Sequence, residues 1–221
     1  MKPLVIAGNW KSNKTTADAL RWLQDFKNHI GIFPSYITVV LCVPFTLLYT
    51  VKEKIRVYSL PIVLGAQNVS PFPDGAETGE ESARMVRDLA DWVIIGHSER
   101  RKNFGETDEV LAKKVEQAKG AGLQIIYCVP DDHTRIPYGV DVAAYEPVWA
   151  IGSGEADTSA NANMVIAAIK AASQVKQVLY GGSVTAANVA SFVGEPSIDG
   201  VLPGGASLDP EKFADLITNA R

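Results

Sequence analysis

One apolar run decides between two possible folds, the stretch L-V-I-A-G-N-W-K at residues 4–11. Its aliphatic and β-branched residues predict a buried strand over Leu4–Asn9. A doubly wound open sheet would favour a glycine-rich phosphate-binding turn directly after its first strand. Residues 9–11 are Asn-Trp-Lys instead. The stretch therefore favours the alternative arrangement, a closed barrel of alternating strands and helices.

Seven further apolar runs of the same kind follow, and helical patterns lie between most of them. The strand starts recur about every 28 residues, close to the ~30 residues of one strand-and-helix unit. No linker or shift in composition divides the chain. We therefore predict one (β/α)8 barrel domain over residues 1–221. The eight predicted strands are Leu4–Asn9, Ile37–Val43, Ile62–Ala66, Trp92–Gly96, Leu123–Val129, Asp141–Glu146, Gln177–Gly181 and Ile198–Leu202.

Helix start signals precede six of the helical patterns. They lie at Thr15, Gly79–Ser82, Glu106–Thr107, Asp157–Thr158, Thr185 and Asp209–Pro210, and a shorter helical turn is predicted over Ser98–Lys102. The connection between the fifth and sixth strands is unusual, because residues 130–139 contain two prolines and end on a glycine. We predict that the helix between these two strands is shortened or missing.

The composition excludes several classes of protein. Hydrophobic residues make up 47% of the 221 residues and charged residues 21%, which is typical of a folded domain. The formal net charge of −4 predicts no general attraction to nucleic acid or to an anionic membrane. No apolar run has the length of a membrane helix or a signal peptide. Two cysteines suit a reducing, cytoplasmic location, and both fall in apolar strands, where we expect core thiols.

Candidate catalytic residues follow the predicted strands, and a barrel gathers the carboxyl ends of its strands on one face. Glu146 follows the sixth strand, and a carboxylate that is covered from water becomes a stronger base. His97 precedes a helical turn, whose positive end favours a neutral imidazole. Taken alone, Glu146 also fits a carboxylate that caps a loop, and His97 also fits a hydrogen-bonded structural residue. The pattern G-x-S-x-G, which marks the nucleophile of serine hydrolases, is incomplete here because Arg100 stands in place of its second glycine. Serine-hydrolase chemistry is therefore not expected.

Three further features point to an anionic substrate. Lys11 follows the first strand at once and predicts a fixed positive charge in the site. The turns Gly181-Gly182-Ser183 and Gly204-Gly205 follow the last two strands, where barrels bind phosphate through backbone N–H groups. Residues 147–156, with a proline, a tryptophan and glycines, resemble a mobile lid. The three histidines and two cysteines have no metal-ligand spacing, so no metal is expected.

Together these motifs resemble the triosephosphate isomerase family over the whole chain. The residues that carry the resemblance are Asn9-Trp10-Lys11, Ala66-Gln67-Asn68, Glu77-Thr78-Gly79-Glu80, Gly96–Arg101, Tyr145–Gly154, Tyr180–Ser183 and Gly204–Leu208. The resemblance implies a TIM barrel that interconverts dihydroxyacetone phosphate and glyceraldehyde 3-phosphate through an enediol(ate), in glycolysis and gluconeogenesis, without a cofactor.

The resemblance also implies a role for each site residue. Glu146 would be the general base and neutral His97 the electrophile, while Lys11, Asn9 and Glu99 complete the catalytic set. The backbone N–H groups of Gly152, Ser183, Gly204 and Gly205 would bind the phosphate. The lid would contain Pro147, Val148, Trp149, Ala150, Ile151, Gly152, Ser153 and Gly154.

Assembly is expected from the same resemblance. Thr78 would reach into the site of a neighbouring subunit, which implies at least a dimer. The short connection between strands five and six resembles the compact archaeal branch of the family, and it favours a homotetramer. Two features depart from the common pattern: Pro203 stands before Gly204, and the lid ends in Gly154-Glu155-Ala156 without a basic residue.

Two other functions remain open on the sequence alone. A Schiff-base aldolase or another phosphosugar barrel would use Lys11 as its nucleophile. A phosphometabolite-binding protein without catalytic activity would be expected to lack either the glutamate or the histidine, and both are present.

Overall fold

The computed structural model describes residues 2–148 and 156–220. Its eight strands are all parallel and pair in chain order, and the last strand also pairs with the first, so the sheet is a closed barrel. The strands are β1 (Leu4–Asn9), β2 (Ile37–Val43), β3 (Val63–Ala66), β4 (Trp92–Ile95), β5 (Gln124–Val129), β6 (Val142–Tyr145), β7 (Gln177–Tyr180) and β8 (Gly200–Val201). The predicted (β/α)8 barrel is confirmed.

Helices surround this barrel, and most of them begin at a residue whose side chain caps the first turn. The predicted caps Thr15, Thr107, Thr158 and Asp209 each accept a backbone N–H. At Thr15 the cap is reciprocal, because the Asp18 carboxylate accepts the Thr15 N–H. The helices are α1 (Thr16–His29), α2 (Phe45–Tyr58), α3 (Ala83–Leu89), α4 (Ser98–Phe104), α5 (Asp108–Gly120), α6 (Ser159–Ala172), α7 (Val189–Val193) and α8 (Pro210–Asn219).

Two helices differ from the sequence-based expectation. α2 carries no start signal, because Pro44 occupies its N-cap and offers no capping side chain. The prediction that a helix begins at Thr185 is wrong, since α7 begins at Val189. The Asn188 side chain accepts the Thr185 N–H, and the Val189 N–H donates to the Thr185 carbonyl at 3.0 Å, so a turn that starts at Thr185 leads into the helix.

The connection between β5 and β6 contains no helix, as predicted. Residues 130–141 are all described and form bends and turns. At its start the Asp131 carboxylate accepts the backbone N–H groups of His133 and Thr134 at 3.0 and 2.8 Å. Such a turn satisfies backbone groups locally, so the segment needs no helix to pair them.

Two apolar layers hold the fold together, one inside the barrel and one between the sheet and the helices. Along β1, Val5 and Ala7 belong to the inner layer, whereas Leu4 and Ile6 belong to the outer one. This alternation explains why the strands are apolar throughout, since both of their faces are buried. Both cysteines, Cys42 and Cys128, lie in the inner layer and are buried, as expected. No helix within the described ranges is long and apolar enough to cross a bilayer.

Barrel closure depends on a close approach of β8 to β1. Gly200 pairs with Val5 and has a φ of +145°, a conformation that residues with a side chain rarely adopt. A Cβ atom at this position would lie 1.9 Å from the Val5 carbonyl oxygen. The obstacle is backbone rather than a movable side chain, so the closing strand pair requires glycine here.

We predict that Gly200→Ala lowers the free energy of unfolding by at least ~2 kcal/mol, because it adds backbone strain and separates β8 from β1. Chemical denaturation followed by circular dichroism measures this effect. Gly31→Ala is the matched control, since a Cβ atom there meets nothing within 4 Å. We expect the control to stay within about 0.5 kcal/mol of the unmodified chain. Equal stability of the two variants would contradict the closure argument.

Candidate active site

A cavity of about 300 Å³ lies at the carboxyl ends of β1, β4, β7 and β8. Barrel geometry places residues from distant parts of the chain on this one face. Six of the predicted site residues line it together: Asn9, Lys11, His97, Ser183, Gly204 and Gly205. The sequence-based expectation that these residues converge is therefore met by the geometry.

The turn after β1 presents Lys11 to the cavity. Trp10 is fully buried, and its indole N–H donates to the Ser207 carbonyl at 3.0 Å. Lys11 then adopts a positive φ of 52°, and its own N–H donates to the Asn9 side-chain oxygen at 2.9 Å. The Gln67 amide donates to the Lys11 carbonyl at 3.0 Å. These contacts hold the turn on both sides.

The Lys11 ammonium has a defined position. Its Nζ lies 2.6 Å from Glu99 Oε1, and both side chains are partly exposed. The lysine stem passes over Gly204, where a Cβ atom would lie 3.1 Å from Lys11 Cε. Glycine at 204 therefore lets the positive charge approach the turn that follows β8.

His97 is the N-cap of α4 and is 6% exposed. Its Nδ1 accepts the Glu99 N–H at 3.2 Å, so Nδ1 carries no proton. Its Nε2 lies 3.0 Å from Glu146 Oε1. A ring whose Nδ1 accepts a hydrogen bond carries its proton on Nε2. That His97 acts as a neutral electrophile stays a prediction.

Glu146 is 2% exposed and, like Glu99, lines a second cavity rather than the first. The Ser98 N–H donates to its Oε2 at 2.8 Å, while His97 holds its Oε1. The carboxylate borders this second cavity of about 590 Å³, which Pro130 and Val148 also line. Glu146 and His97 are thus in direct contact. A Cβ atom at Gly181, which lines the cavity that holds Lys11, would lie 3.0 Å from Glu146 Cγ, so the glutamate is also next to that cavity.

Cys128 lies close to Glu146 in the barrel interior. Burial raises the pKa of its thiol well above the usual value, and the charge and a hydrogen bond of Glu146 add to this shift. A thiol in such a position stays protonated and unreactive. Cys128 therefore belongs to the apolar surroundings of the Glu146 carboxylate and does not act as a nucleophile.

The glycine turns offer backbone donors to the first cavity. Within the described ranges, neither the Gly204 nor the Gly205 N–H donates to a protein acceptor. A short 3-10 turn follows over Gly205–Ser207. Pro203, which departs from the common pattern, is buried, and its carbonyl accepts the Asn9 N–H at 2.9 Å. Proline at 203 therefore leaves the two glycine donors in place.

Most of the predicted lid, including Gly152, lies outside the described residues, which resume at Ala156. Pro147 and Val148 stand before this gap, and the Val148 side chain is 57% exposed. After the gap, the Asp157 N–H donates to the Tyr180 hydroxyl at 2.9 Å. Tyr180 is buried and stacks on Phe192 with ring centroids 4.1 Å apart. The segment after the lid is thus tied to β7.

Tyr180 was not predicted as a site residue. Burial raises the pKa of its hydroxyl to about 12, so the group is neutral and can accept the Asp157 N–H. The feature of the sequence that could have indicated this role is that Tyr180 directly precedes Gly181-Gly182-Ser183. The contact between the Ser98 N–H and Glu146 was likewise not predicted, because a backbone contact between distant segments leaves no trace in residue types.

Thr78 lines neither of these cavities and lies on the exposed segment 72–80 after β3. The Glu80 N–H donates to the Glu77 carbonyl at 3.0 Å, and Gly79 adopts a φ of +95°. The turn therefore presents Thr78 at its tip. Within the two described ranges, no three His, Cys, Asp or Glu side chains converge in a group that could hold a metal ion.

Comparison with known proteins identifies the family. A sequence model described as triosephosphate isomerase matches residues 4–139 and 137–220. The triosephosphate isomerase of Synechocystis sp. strain PCC 6803 is 42% identical over 240 aligned residues, which cover 98% of both chains. That of Synechococcus sp. strain JA-3-3Ab is 41% identical over 245 residues, which cover 98% of this chain and 95% of the relative.

A third relative with the same name, from Dehalococcoides mccartyi strain BAV1, is 39% identical and covers all of this chain and 97% of its own. The two matched segments meet at residues 137–139, inside the connection that lacks a helix. These relatives are bacterial, and membership of the compact archaeal branch stays a prediction. On the matches over nearly its whole length, the chain belongs to the triosephosphate isomerase family and is an isomerase.

Proposed function

We propose that the chain acts as one catalytic domain over residues 1–221 and interconverts dihydroxyacetone phosphate and D-glyceraldehyde 3-phosphate through an enediol(ate). One observation carries this proposal: the buried Glu146 carboxylate contacts the neutral His97 imidazole, with Nε2 3.0 Å from Oε1. Isomerisation of this kind needs a base for a carbon-bound proton and a neutral donor to the carbonyl oxygen. The names of the relatives support the same substrate.

Glu146 is assigned the role of general base. To contact the substrate carbon, its carboxylate leaves the Ser98 N–H, which donates to Oε2 at 2.8 Å, and the adjacent His97 Nε2. Release of the carboxylate also frees the His97 Nε2–H, which then donates to the substrate oxygen. The two movements are coupled, since His97 Nε2 and Glu146 Oε1 lie only 3.0 Å apart.

Lys11, Asn9 and Glu99 complete the proposed catalytic set. Negative charge develops on the substrate oxygen as the proton leaves carbon, and the Lys11 ammonium lies in the same cavity as His97. Asn9 also lines that cavity and would orient the oxygens. Glu99 holds Lys11 through its carboxylate and His97 through its N–H. The Lys11–Glu99 ion pair argues against the Schiff-base alternative, which requires a neutral amine as nucleophile.

The phosphate is assigned to the backbone N–H groups of Ser183, Gly204 and Gly205, with Gly152 contributed by the lid. The support is the absence of a protein acceptor for the two glycine N–H groups within the described ranges, and the nearby Lys11 stem. Closure of residues 147–156 would exclude water and suppress loss of phosphate from the intermediate. A local nest of this kind suits a chain whose net charge is −4.

We also place this activity in glycolysis and gluconeogenesis in the cytoplasm, carried out by a homo-oligomer. No nucleic acid, membrane or cofactor takes part in the proposed reaction. The exposed turn at Thr78 supports a dimer contact, and the shortened connection between β5 and β6 supports a tetramer.

The first test is Glu146→Asp in a coupled assay of glyceraldehyde 3-phosphate conversion. We expect the unmodified chain to be active. The variant withdraws the carboxylate by one methylene, so kcat should fall by ~100-fold while KM stays within about threefold. Asp25→Glu on the exposed face of α1 serves as the control and should leave kcat unchanged. Full activity of Glu146→Asp would contradict the assignment of the base.

Ser183→Pro tests the phosphate site. Proline has no N–H, so the inhibition constant of inorganic phosphate should rise by about tenfold, the loss expected for one hydrogen bond to a charged group. Ser183→Ala keeps the N–H and should bind phosphate normally. Circular dichroism verifies that both variants are folded. If phosphate inhibits both variants equally, the donor lies elsewhere.

Light scattering at two concentrations tests the assembly. We expect a mass of four times the 23.8 kDa of one chain, and a smaller mass for Thr78→Arg, because a bulky charge would disrupt the contact at the turn. A mass of 23.8 kDa for the unmodified chain at both concentrations would rule out the oligomer.

A further inference from the structure

The Arg101 guanidinium contacts the carboxyl ends of two neighbouring strands, β4 and β5. Arg101 lies on α4, and its Nε donates to the Gly96 carbonyl at 2.9 Å, at the end of β4. Its Nη2 lies 3.3 Å from the Cys128 carbonyl and 3.2 Å from the Tyr127 hydroxyl, both on β5. One planar group thus contacts two neighbouring strands at their carboxyl ends.

Each of these strand ends leads directly to a proposed catalytic group. Gly96 is followed by His97, and Gly96 has a φ of +77° that turns the chain into α4. Cys128 is followed by Val129, whose carbonyl accepts the Glu146 N–H at 2.8 Å. The guanidinium therefore lies one residue from the backbone of His97 and one residue from the backbone that anchors Glu146.

The surroundings of Arg101 favour a fixed geometry. Its side chain is about 20% exposed, and Tyr127 is fully buried, with its ring 5.6 Å from the guanidinium carbon. Burial raises the pKa of the Tyr127 hydroxyl, which keeps that group protonated beside the cation. Asp108 at the exposed end accepts from Nη1 at 2.8 Å. A lysine cannot reproduce these contacts, because only arginine presents its donors in a planar fork.

We propose that Arg101 is a positioning residue that sets the relative placement of His97 and Glu146. The proposal rests on the proposed function of those two residues. Arg101 contributes no atom to the phosphate turns, which follow β7 and β8. Loss of its fork should therefore misplace the reacting groups and leave phosphate binding intact.

The test compares Arg101→Met and Arg101→Lys with the unmodified chain. We expect kcat to fall by about 10- to 100-fold in both variants, since small misplacements of reacting groups have effects of this size. KM and the inhibition constant of inorganic phosphate should change by less than about threefold. Asp108→Asn is the matched control, because it removes the exposed ion pair and retains both carbonyl contacts. Its kcat should stay within about twofold.

Several outcomes would overturn the proposal. A folded Arg101→Met with unchanged kcat would do so, as would parallel losses of kcat and phosphate inhibition, which indicate general disruption. Full activity of Arg101→Lys would also contradict the proposal, because a positive charge without the planar fork would then be sufficient. If neither variant folds, Tyr127→Phe removes one hydrogen bond of the guanidinium and should lower kcat by about two- to fivefold, whereas an unchanged kcat refutes the role. An inactive unmodified chain would instead contradict the proposed function.

Discussion

The pairing of Gly200 with Val5 is the contact on which the architecture depends. β8 contains only two residues, yet it must join β7 to β1 and close the sheet. Asp199, next to it, fixes the approach, because its carboxylate accepts the Val178 N–H at 2.8 Å and pairs with Lys170 at 2.5 Å. Its carbonyl accepts the Val5 N–H at 3.0 Å. A closed sheet has no edge, and all eight strands then end on one face.

That shared face explains how a mildly acidic chain can present a site for an anion. The positive charge is local, since Lys11 is held by Glu99 beside the turn at Gly204. The other donors are backbone N–H groups, which carry no net charge and need no basic surface. Charge and donors come from β1 and β8, strands that are adjacent only because the barrel closes.

Glu146 shows how the same geometry restrains a reactive group. Its backbone is held by β5, and its carboxylate by the start of α4, through Ser98 and His97. The buried carboxylate is thus held by protein groups, with the Ser98 N–H as the donor to its Oε2. Arg101, on α4, contacts the ends of β4 and β5 through the Gly96 and Cys128 carbonyls.

Much of this organisation was predictable because it is local. The apolar pattern of residues 4–11, and of the seven similar runs that follow, predicted the strands. The starts of four helices were predicted from the capping side chains of Thr15, Thr107, Thr158 and Asp209. The residue types at the strand ends indicated a base, an imidazole, an ammonium and two glycine turns. The start of α2 was not predicted, because Pro44 at its N-cap has no side chain that could cap the helix. Only the tertiary structure decided that Glu146 contacts His97 and the Ser98 N–H, and how Arg101 and Tyr180 are placed, since these depend on contacts between segments far apart in the chain.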